Sequence, residues 1–311
     1  MRRARDFLSL DDVTIAELHG LLRDAAKYKR HRQRHGQRLA GRVVALIFQK
    51  PSVRTRVAFE VAVRRLGGST IYLGDDDIRL GEREPVGDAA RVLARYVDAV
   101  VLRTFAHRTV QEFASHADVP VINGLSDLSH PCQALADVFT IQEHFGRLKG
   151  LALAYIGDGN NVLHALMQAC AMLGIHLSAA TPASYRPEAK CWAATSRLAA
   201  AQGARLRWVS DPRQAARGAD VLYTDVWVSM GNETERKARR RAFRGYQVNT
   251  QLLKLAARGC RVMHCLPAHR GEEITDEVLD GPQSLVLEQA ENRLHVQKAL
   301  LAMLLNGKAT R

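Results

Sequence analysis

The chain has 311 residues, 47% of them hydrophobic, which suits two domains of ordinary size and is too apolar for a disordered protein. Its formal net charge of +13 favours anionic ligands, yet only 6% of residues are aromatic, so no stacking platform for single-stranded nucleic acid stands out. No apolar run is long enough to cross a bilayer, and 5 cysteines with no CxxC pair make neither a disulfide framework nor a zinc site.

The first residues, Met1-Arg2-Arg3-Ala4-Arg5, are basic but lack the apolar stretch and small-residue cleavage site of a signal peptide. Asp11 and Asp12 follow, against a transit peptide, so the expected location is cytoplasmic with reduced thiols. Thr14-Ile15-Ala16-Glu17 is a capping box that predicts a helix through about Gln33. Gly41 to Phe48 predicts a buried strand, and Pro51-Ser52 opens a helix that stops at Gly67-Gly68. A strand over Ser69 to Leu73, a helix over Asp88 to Tyr96 and strands over Ala99 to Leu102 and Val119 to Ile122 follow. After a loop from Asn123 to Ser129, a long helix runs from Pro131 to Phe145. A second set begins at Gly150, with a strand over Leu151 to Ile156, a helix over Asn161 to Leu173 and a strand over Leu177 to Ala180. The alternation continues through strands at Val221 to Tyr223 and Arg261 to Cys265 to a last helix from about Glu291 to Leu305. Alternating strands and helices predict an α/β fold with two doubly wound parallel-sheet domains joined by helices.

Basic residues concentrate in Lys27 to Arg42 and Arg236 to Arg244, which read first as solvated helix faces. Five other segments lie where such folds hold chemistry. Ser52-Val53-Arg54-Thr55-Arg56 follows a strand and opens a helix, so free N–H groups, the helix dipole, two hydroxyls and a guanidinium can meet a phosphate; an ordinary N-cap with solvent-facing arginines is the plain alternative. His130-Pro131-Cys132-Gln133 and Arg103 sit where the chain enters an α/β crevice. Gly157-Asp158-Gly159-Asn160-Asn161 invites a dinucleotide reading, which fails because Val162 occupies the third glycine position and the nearest later carboxylate, Glu188, lies in a loop. Asp225-Val226-Trp227-Val228-Ser229-Met230-Gly231 follows a strand. His264-Cys265-Leu266-Pro267 ends another, and strand alternation argues against a Cys–His nucleophile within that pair.

Taken together, these motifs resemble those of the ornithine carbamoyltransferases, over about Leu8 to Leu304. The phosphate loop matches Ser52 to Arg56, HPxQ matches His130 to Gln133, DxWxSMG matches Asp225 to Gly231 and HCLP matches His264 to Pro267; Gly157 to His164 and Ala290-Glu291-Asn292-Arg293 also fit. HPxQ and the phosphate loop are shared with aspartate carbamoyltransferases, whereas SMG and HCLP point to ornithine. The resemblance implies a transferase that carbamoylates L-ornithine from carbamoyl phosphate to give L-citrulline, for arginine biosynthesis, with no metal or organic cofactor. It implies a carbamoyl-phosphate domain over 1–132 plus 291–311, a linker helix over 133–149, an ornithine domain over 150–290 and an active site in the cleft between them. By analogy Ser52, Val53, Arg54, Thr55 and Arg293 contact carbamoyl phosphate, Arg103, His130 and Thr55 face its carbonyl oxygen, and Gln133 its amide. Cys265 and Leu266 border the reaction centre, and Asn161, Asp225, Ser229 and Met230 hold ornithine. Arg103, His130, Asp225 and Cys265 are the expected catalytic set. The family assembles as trimers, or multiples of trimers, with sites at subunit interfaces.

Three positions depart from the usual family pattern: Gln49 in place of glutamate, Val53 in place of threonine and Arg79 in place of glutamine. Arg79, reaching from a neighbouring subunit, is expected to offset the hydroxyl missing at Val53. Altered inhibitor sensitivity and a non-catalytic paralogue are the rival readings of these changes. Other acceptors, N-acetylornithine and putrescine, and a basic nucleic-acid-binding protein on the same scaffold are the competing functions.

Overall fold

The computed structural model describes residues 5–31, 36–229 and 233–305. The chain divides into two compact units, one comprising Met1–Phe139 and Asn292–Arg311, the other Thr140–Glu291. The first holds a parallel sheet of β1 (Val43–Phe48), β2 (Ser69–Gly74), β3 (Ala99–Arg103) and β4 (Val121–Leu125), ordered β2-β1-β3-β4. β1 and β3 are almost wholly buried apolar runs, as parallel strands covered on both faces must be. Ala45, Ile47, Val100 and Leu102 pack with Val86, Ala89 and Ala90 of helix Val86–Leu93 and with Val110 and Phe113 of helix His107–His116. Burial of each larger apolar side chain of this kind contributes about 1.5–3 kcal/mol.

The second unit holds β5 (Ala152–Ile156), β6 (His176–Ala180), β7 (Leu206–Val209), β8 (Val221–Thr224) and β9 (Arg261–His264), all parallel and ordered β7-β6-β5-β8-β9. Ala154, Ile156, Leu222 and Val262 pack there with Trp227, Phe243 and Tyr246. The strand order reverses between β1 and β3 in one unit and between β5 and β8 in the other. Right-handed crossovers send the connecting chain to opposite faces at such a reversal, which opens a crevice at the carboxyl ends of those strands. Ser52 follows β1, Arg103 ends β3, Gly157 follows β5 and Asp225 follows β8, at these ends; His130 comes after β4 and His264 ends β9, the strands next to them.

Local chemistry accounts for the element boundaries. Thr14 Oγ1 accepts from Glu17 N at 3.2 Å while Thr14 N donates to Glu17 Oε2 at 2.8 Å, the expected capping box, and the helix runs Ile15–Arg30. The helix predicted over Asp88 to Tyr96 is instead Val86–Leu93, because Pro85 has a preset φ of −56° and serves as its N-cap. The strand predicted over Val119 to Ile122 begins at Val121, after Pro120, which has no N–H to give a ladder. That strand continues through Asn123 and Gly124, part of the predicted loop; a Cβ on Gly124 would lie 3.1 Å from the Leu102 carbonyl oxygen, so glycine eases the approach of β4 to β3 there. The last helix starts five residues earlier than predicted, at Val286. β9 ends at His264, leaving Cys265 just beyond the strand.

Gly159 is a packing glycine. Its N–H donates to Tyr185 O at 2.9 Å, and a Cβ there would lie 2.3 Å from Pro187 N and 2.4 Å from the Arg186 carbonyl carbon. Backbone on both sides cannot yield cheaply, so Gly159→Ala is expected to destabilise the fold by about 1–3 kcal/mol. Thermal unfolding checks this against Gly20→Ala, whose added methyl meets only the end of Arg23 at 3.7 Å in a helix and should leave the midpoint unchanged or raised.

Candidate active site

In the first unit Ser52 caps helix Val53–Arg65 with its Oγ, which accepts from Thr55 N at 3.3 Å. The first-turn amides of Val53 and Arg54 have no intrahelical acceptor and meet the positive end of the helix dipole. The Val53 side chain is 79% exposed and Arg54 is exposed beside it. Thr55 is fully buried; its Oγ1 accepts from Ser52 Oγ at 3.0 Å and from Arg293 Nη2 at 2.5 Å, which leaves its own proton to donate. Arg103, at the end of β3, is buried with its Nε on Lys50 O at 3.1 Å. Gln49 donates its side-chain amide to Leu80 O at 3.2 Å, a bond that a glutamate at this position has no proton to make. The departure at residue 49 thus ties the end of β1 to the segment carrying Arg79, an exposed residue with φ of +43°.

His130 is buried at the start of helix Pro131–Phe145, and its Nδ1 has no hydrogen-bond partner among the described residues. Burial, then the Arg293 and Arg103 guanidiniums, hold its pKa well below the usual imidazole range, so the ring is neutral. Gln133, one helical turn on, donates Nε2 to Asp137 Oδ1 at 2.8 Å, and its buried Oε1 is left as an open acceptor. Cys132, between them, is an inert core thiol: burial pushes its pKa up to about 12.

In the second unit three loop ends converge. Asn160, the N-cap of helix Asn161–Leu173, accepts from Val162 N at 3.0 Å and donates Nδ2 to Asp225 Oδ2 at 2.8 Å. Asp225, just past β8, is buried, and Cys265 Sγ donates to its other oxygen at 2.9 Å. Asn161 and Ser229 are half-buried nearby in sequence, and Met230 lies outside the described residues. Leu266 follows with φ of +56°, an uncommon conformation for a branched residue, before a cis bond to Pro267.

The alternation argument against a His264–Cys265 pair does not hold in this geometry. Potential ligand atoms of Asp225, His264 and Cys265 all lie within 4.8 Å of one another. The pairing is limited for another reason: His264 Nδ1 accepts from Leu266 N at 2.8 Å and Nε2 faces Glu273 Oε1 at 3.2 Å. Both ring nitrogens are committed, so His264 offers no lone pair to a metal ion and no base to the thiol.

Sequence reasoning missed Asn160 and Arg239. Asn160 carried an N-cap signal, but nothing placed it against Asp225. Arg239 sits in the basic run read as a solvated face, yet it is buried. Its guanidinium donates to Asp158 Oδ2 at 2.7 Å, to Trp227 O at 3.1 Å and to Glu235 Oε2 at 2.9 Å. Burial still raises the Asp158 carboxyl to about 6 against the pull of Arg239. This bond network joins the loop after β5 to the segment following Asp225, and explains Asp158 without a nucleotide.

The state of His130 has a thermodynamic consequence. The unfolded imidazole titrates near 6.5, whereas the folded one stays neutral well below that. The unfolded chain therefore binds more protons as pH falls, and stability is lost below about pH 6.5. His130→Asn should remove this part of the acid sensitivity, read from urea unfolding at pH 5 and pH 7.5; an unchanged difference between the two pH values would contradict the assignment.

Known proteins match nearly the whole chain. The model of the aspartate/ornithine carbamoyltransferase carbamoyl-P binding domain matches residues 5–143, and that of the Asp/Orn binding domain matches residues 149–304. The ornithine carbamoyltransferase of Acidothermus cellulolyticus is 53% identical over 99% of this chain and 98% of its own. The solved ornithine carbamoyltransferase of Pyrococcus furiosus is 50% identical, with a TM-score of 0.95 and 98% of each chain covered. A solved N-acetyl-L-ornithine transcarbamylase reaches 30% identity and a TM-score of 0.87, covering 96% of this chain and 99% of its own. On these matches, which cover both units, the chain belongs to the aspartate/ornithine carbamoyltransferase family.

Proposed function

We propose that the chain is an ornithine carbamoyltransferase, which moves the carbamoyl group of carbamoyl phosphate to the side-chain amine of L-ornithine and yields L-citrulline and phosphate. The observation that carries this reading is His130, a buried imidazole at the start of helix Pro131–Phe145, held neutral by burial and by the Arg293 and Arg103 guanidiniums. Carbamoyl phosphate belongs to the first unit. Its phosphate takes the Val53 and Arg54 amides, the Ser52 hydroxyl and the Arg54 and Arg293 guanidiniums. Thr55, Arg103 and His130 donate to the carbonyl oxygen, and the open Oε1 of Gln133 accepts from the carbamoyl –NH2. Ornithine belongs to the second unit, with Asn161 on its α-carboxylate, Asp225 on its α-ammonium and Ser229 and Met230 alongside. Cys265 and Leu266 border the reacting carbon.

The reaction follows from these roles. The side-chain amine, with an ordinary pKa of ~10, attacks after losing a proton. Its lone pair forms the new C–N bond, and charge collects on the carbonyl oxygen facing Arg103 and His130. One well-placed donor of this kind contributes about 2.7–4 kcal/mol to the transition state. The C–O bond to phosphate then breaks, and Arg54 with the helix start stabilises the leaving anion, which takes up one of the two amine protons while the other stays on the new C–N nitrogen. None of these steps calls for a metal or an organic cofactor.

Asp225 favours ornithine over the competing acceptors. An acetylated α-amine has no charge for the carboxylate, and putrescine has no α-carboxylate for Asn161. A nucleic-acid role is less supported because several of the basic residues in these runs are paired with carboxylates: Arg236 and Arg240 with Glu272, Arg239 with Asp158, Lys27 with Asp24 and Arg42 with Asp98. A trimer, or a multiple of trimers, is part of the proposal, supported by the exposed Val53 and Val57, one turn apart on one helix, and by exposed Ile71 on β2. So is a cytoplasmic location; no helix among the described residues is long and apolar enough to cross a membrane. A Pyrococcus furiosus relative, 50% identical, is named anabolic, which supports arginine biosynthesis as the working direction.

Purified protein given carbamoyl phosphate should form citrulline saturably with ornithine and give no carbamoylated product with N-acetylornithine, putrescine or aspartate. Turnover with one of the others instead would discard the assignment of Asp225 and Asn161. Arg79→Gln should raise KM for carbamoyl phosphate if Arg79 supplies, from a neighbouring subunit, the charge that offsets Val53; the loss of one charge-assisted bond corresponds to roughly tenfold in KM. An unchanged KM sinks that role for Arg79.

A further inference from the structure

We propose that Glu273 is a positioning residue for carbamoyl transfer, acting through His264 to hold the corner formed by Cys265 and Leu266. This rests on the reading of Asp225, Cys265 and Leu266 as part of the transfer site. With φ of +56°, Leu266 occupies a left-handed conformation that is unfavourable for a residue with a side chain, so something must hold it. Its N–H donates to Nδ1 of His264, two residues earlier, at 2.8 Å. That nitrogen can accept only if the ring is neutral and carries its proton on Nε2.

The second nitrogen is where Glu273 enters. The His264 side chain is fully buried, so a proton on Nε2 needs an acceptor, and Glu273 Oε1 stands at 3.2 Å. The Glu273 side chain is itself fully buried, and the same oxygen accepts from His269 N at 2.5 Å, which pins the carboxylate to the turn between residues 269 and 273. The His264 backbone N–H donates to Gln289 Oε1 at 3.0 Å, which anchors the strand end from the other side. A directional chain results: the turn fixes Glu273, Glu273 fixes the tautomer of His264, and His264 fixes the Leu266 amide. The corner so held presents the Cys265 thiol to Asp225 at 2.9 Å. Neither Glu273 nor His264 is assigned to a substrate. Their effect is on where the Cys265–Leu266 corner stands, and a misplacement of about 1 Å at a reacting centre can cost up to ~100-fold in rate.

The experiment compares full-length wild type, Glu273→Gln and Glu273→Ala in the citrulline assay, with folding checked by circular dichroism. Glutamine keeps an acceptor oxygen at the Oε1 position; alanine keeps none. The expected result is that Glu273→Ala lowers kcat by about tenfold or more with both KM values within about threefold of wild type, while Glu273→Gln restores kcat to within about threefold. A wild-type kcat in folded Glu273→Ala overturns the inference, and so does a Glu273→Gln variant as slow as the alanine one. Should Glu273→Ala not fold, Glu273→Gln decides alone: near-wild-type kcat with the Nε2-protonated tautomer of His264 in its nitrogen NMR spectrum supports the inference, and loss of that tautomer overturns it. Absence of wild-type turnover overturns the proposed function together with this inference, whereas an unaffected alanine variant of an active enzyme overturns this inference alone.

Discussion

A parallel sheet covered on both faces has no room for polar chemistry except at its ends. β1, β3, β5 and β8 bury nearly every side chain they carry, so charge and hydrogen-bonding capacity must collect where the strands run out. The reversal of strand order in each unit decides which ends splay apart to leave a crevice. In the first unit these are the ends of β1 and β3, from which Ser52 to Thr55 and Arg103 emerge. In the second they are the ends of β5 and β8, from which Asn160 and Asp225 emerge, with Cys265 following the neighbouring β9. The polar groups of the chain's candidate site are therefore confined to a few residues per strand end, while the strands themselves are free to be apolar.

Electrostatics then distinguishes the two units. The first unit carries donors: arginines at 54, 103 and 293, a buried hydroxyl at Thr55 and an imidazole kept neutral by burial and then by the Arg293 and Arg103 guanidiniums. Neutrality lets His130 donate a hydrogen bond without adding a further positive charge to a buried cluster that already holds two guanidiniums. The second unit gathers a carboxylate whose oxygens are divided between the Asn160 amide and the Cys265 thiol. Around it, the Asp158–Arg239 pair ties the loop after β5 to the backbone at Trp227. A buried pair of this kind adds little net stability, but removing one partner strands the other, so it specifies how the loops lie more than how firmly the domain folds.

Much of this was legible in advance, for identifiable reasons. Strong periodic or continuous apolar segments located the principal strands and helices, and the capping box at Thr14 and Glu17 marked its helix start correctly. Boundaries moved where proline intervened, at Pro85 and Pro120, and where Gly124 let a strand continue through residues that look like loop. The expectation that His264 and Cys265 would point apart relied on strand alternation, which lapses because β9 ends between them. The basic run from Arg236 was read as solvated because sequence shows charge but not burial; Arg239 is one residue in that run whose partners, Asp158 and Trp227, lie distant in the chain.

What the sequence determined by itself was the class of fold, the positions of the chemical motifs and the family to which they point. These follow from local rules: side-chain period, capping, turn residues and short fixed spacings that need no knowledge of distant contacts. What only the tertiary structure decided was which groups meet and in what state. Arg293 reaching Thr55, Asn160 reaching Asp225, and Glu273 holding His264 each join residues whose separation in sequence has no local signature. The neutrality of His130 likewise depends on burial and on two arginines brought to it by different elements, because the energy of a charge is set by everything packed around it and not by its neighbours along the chain.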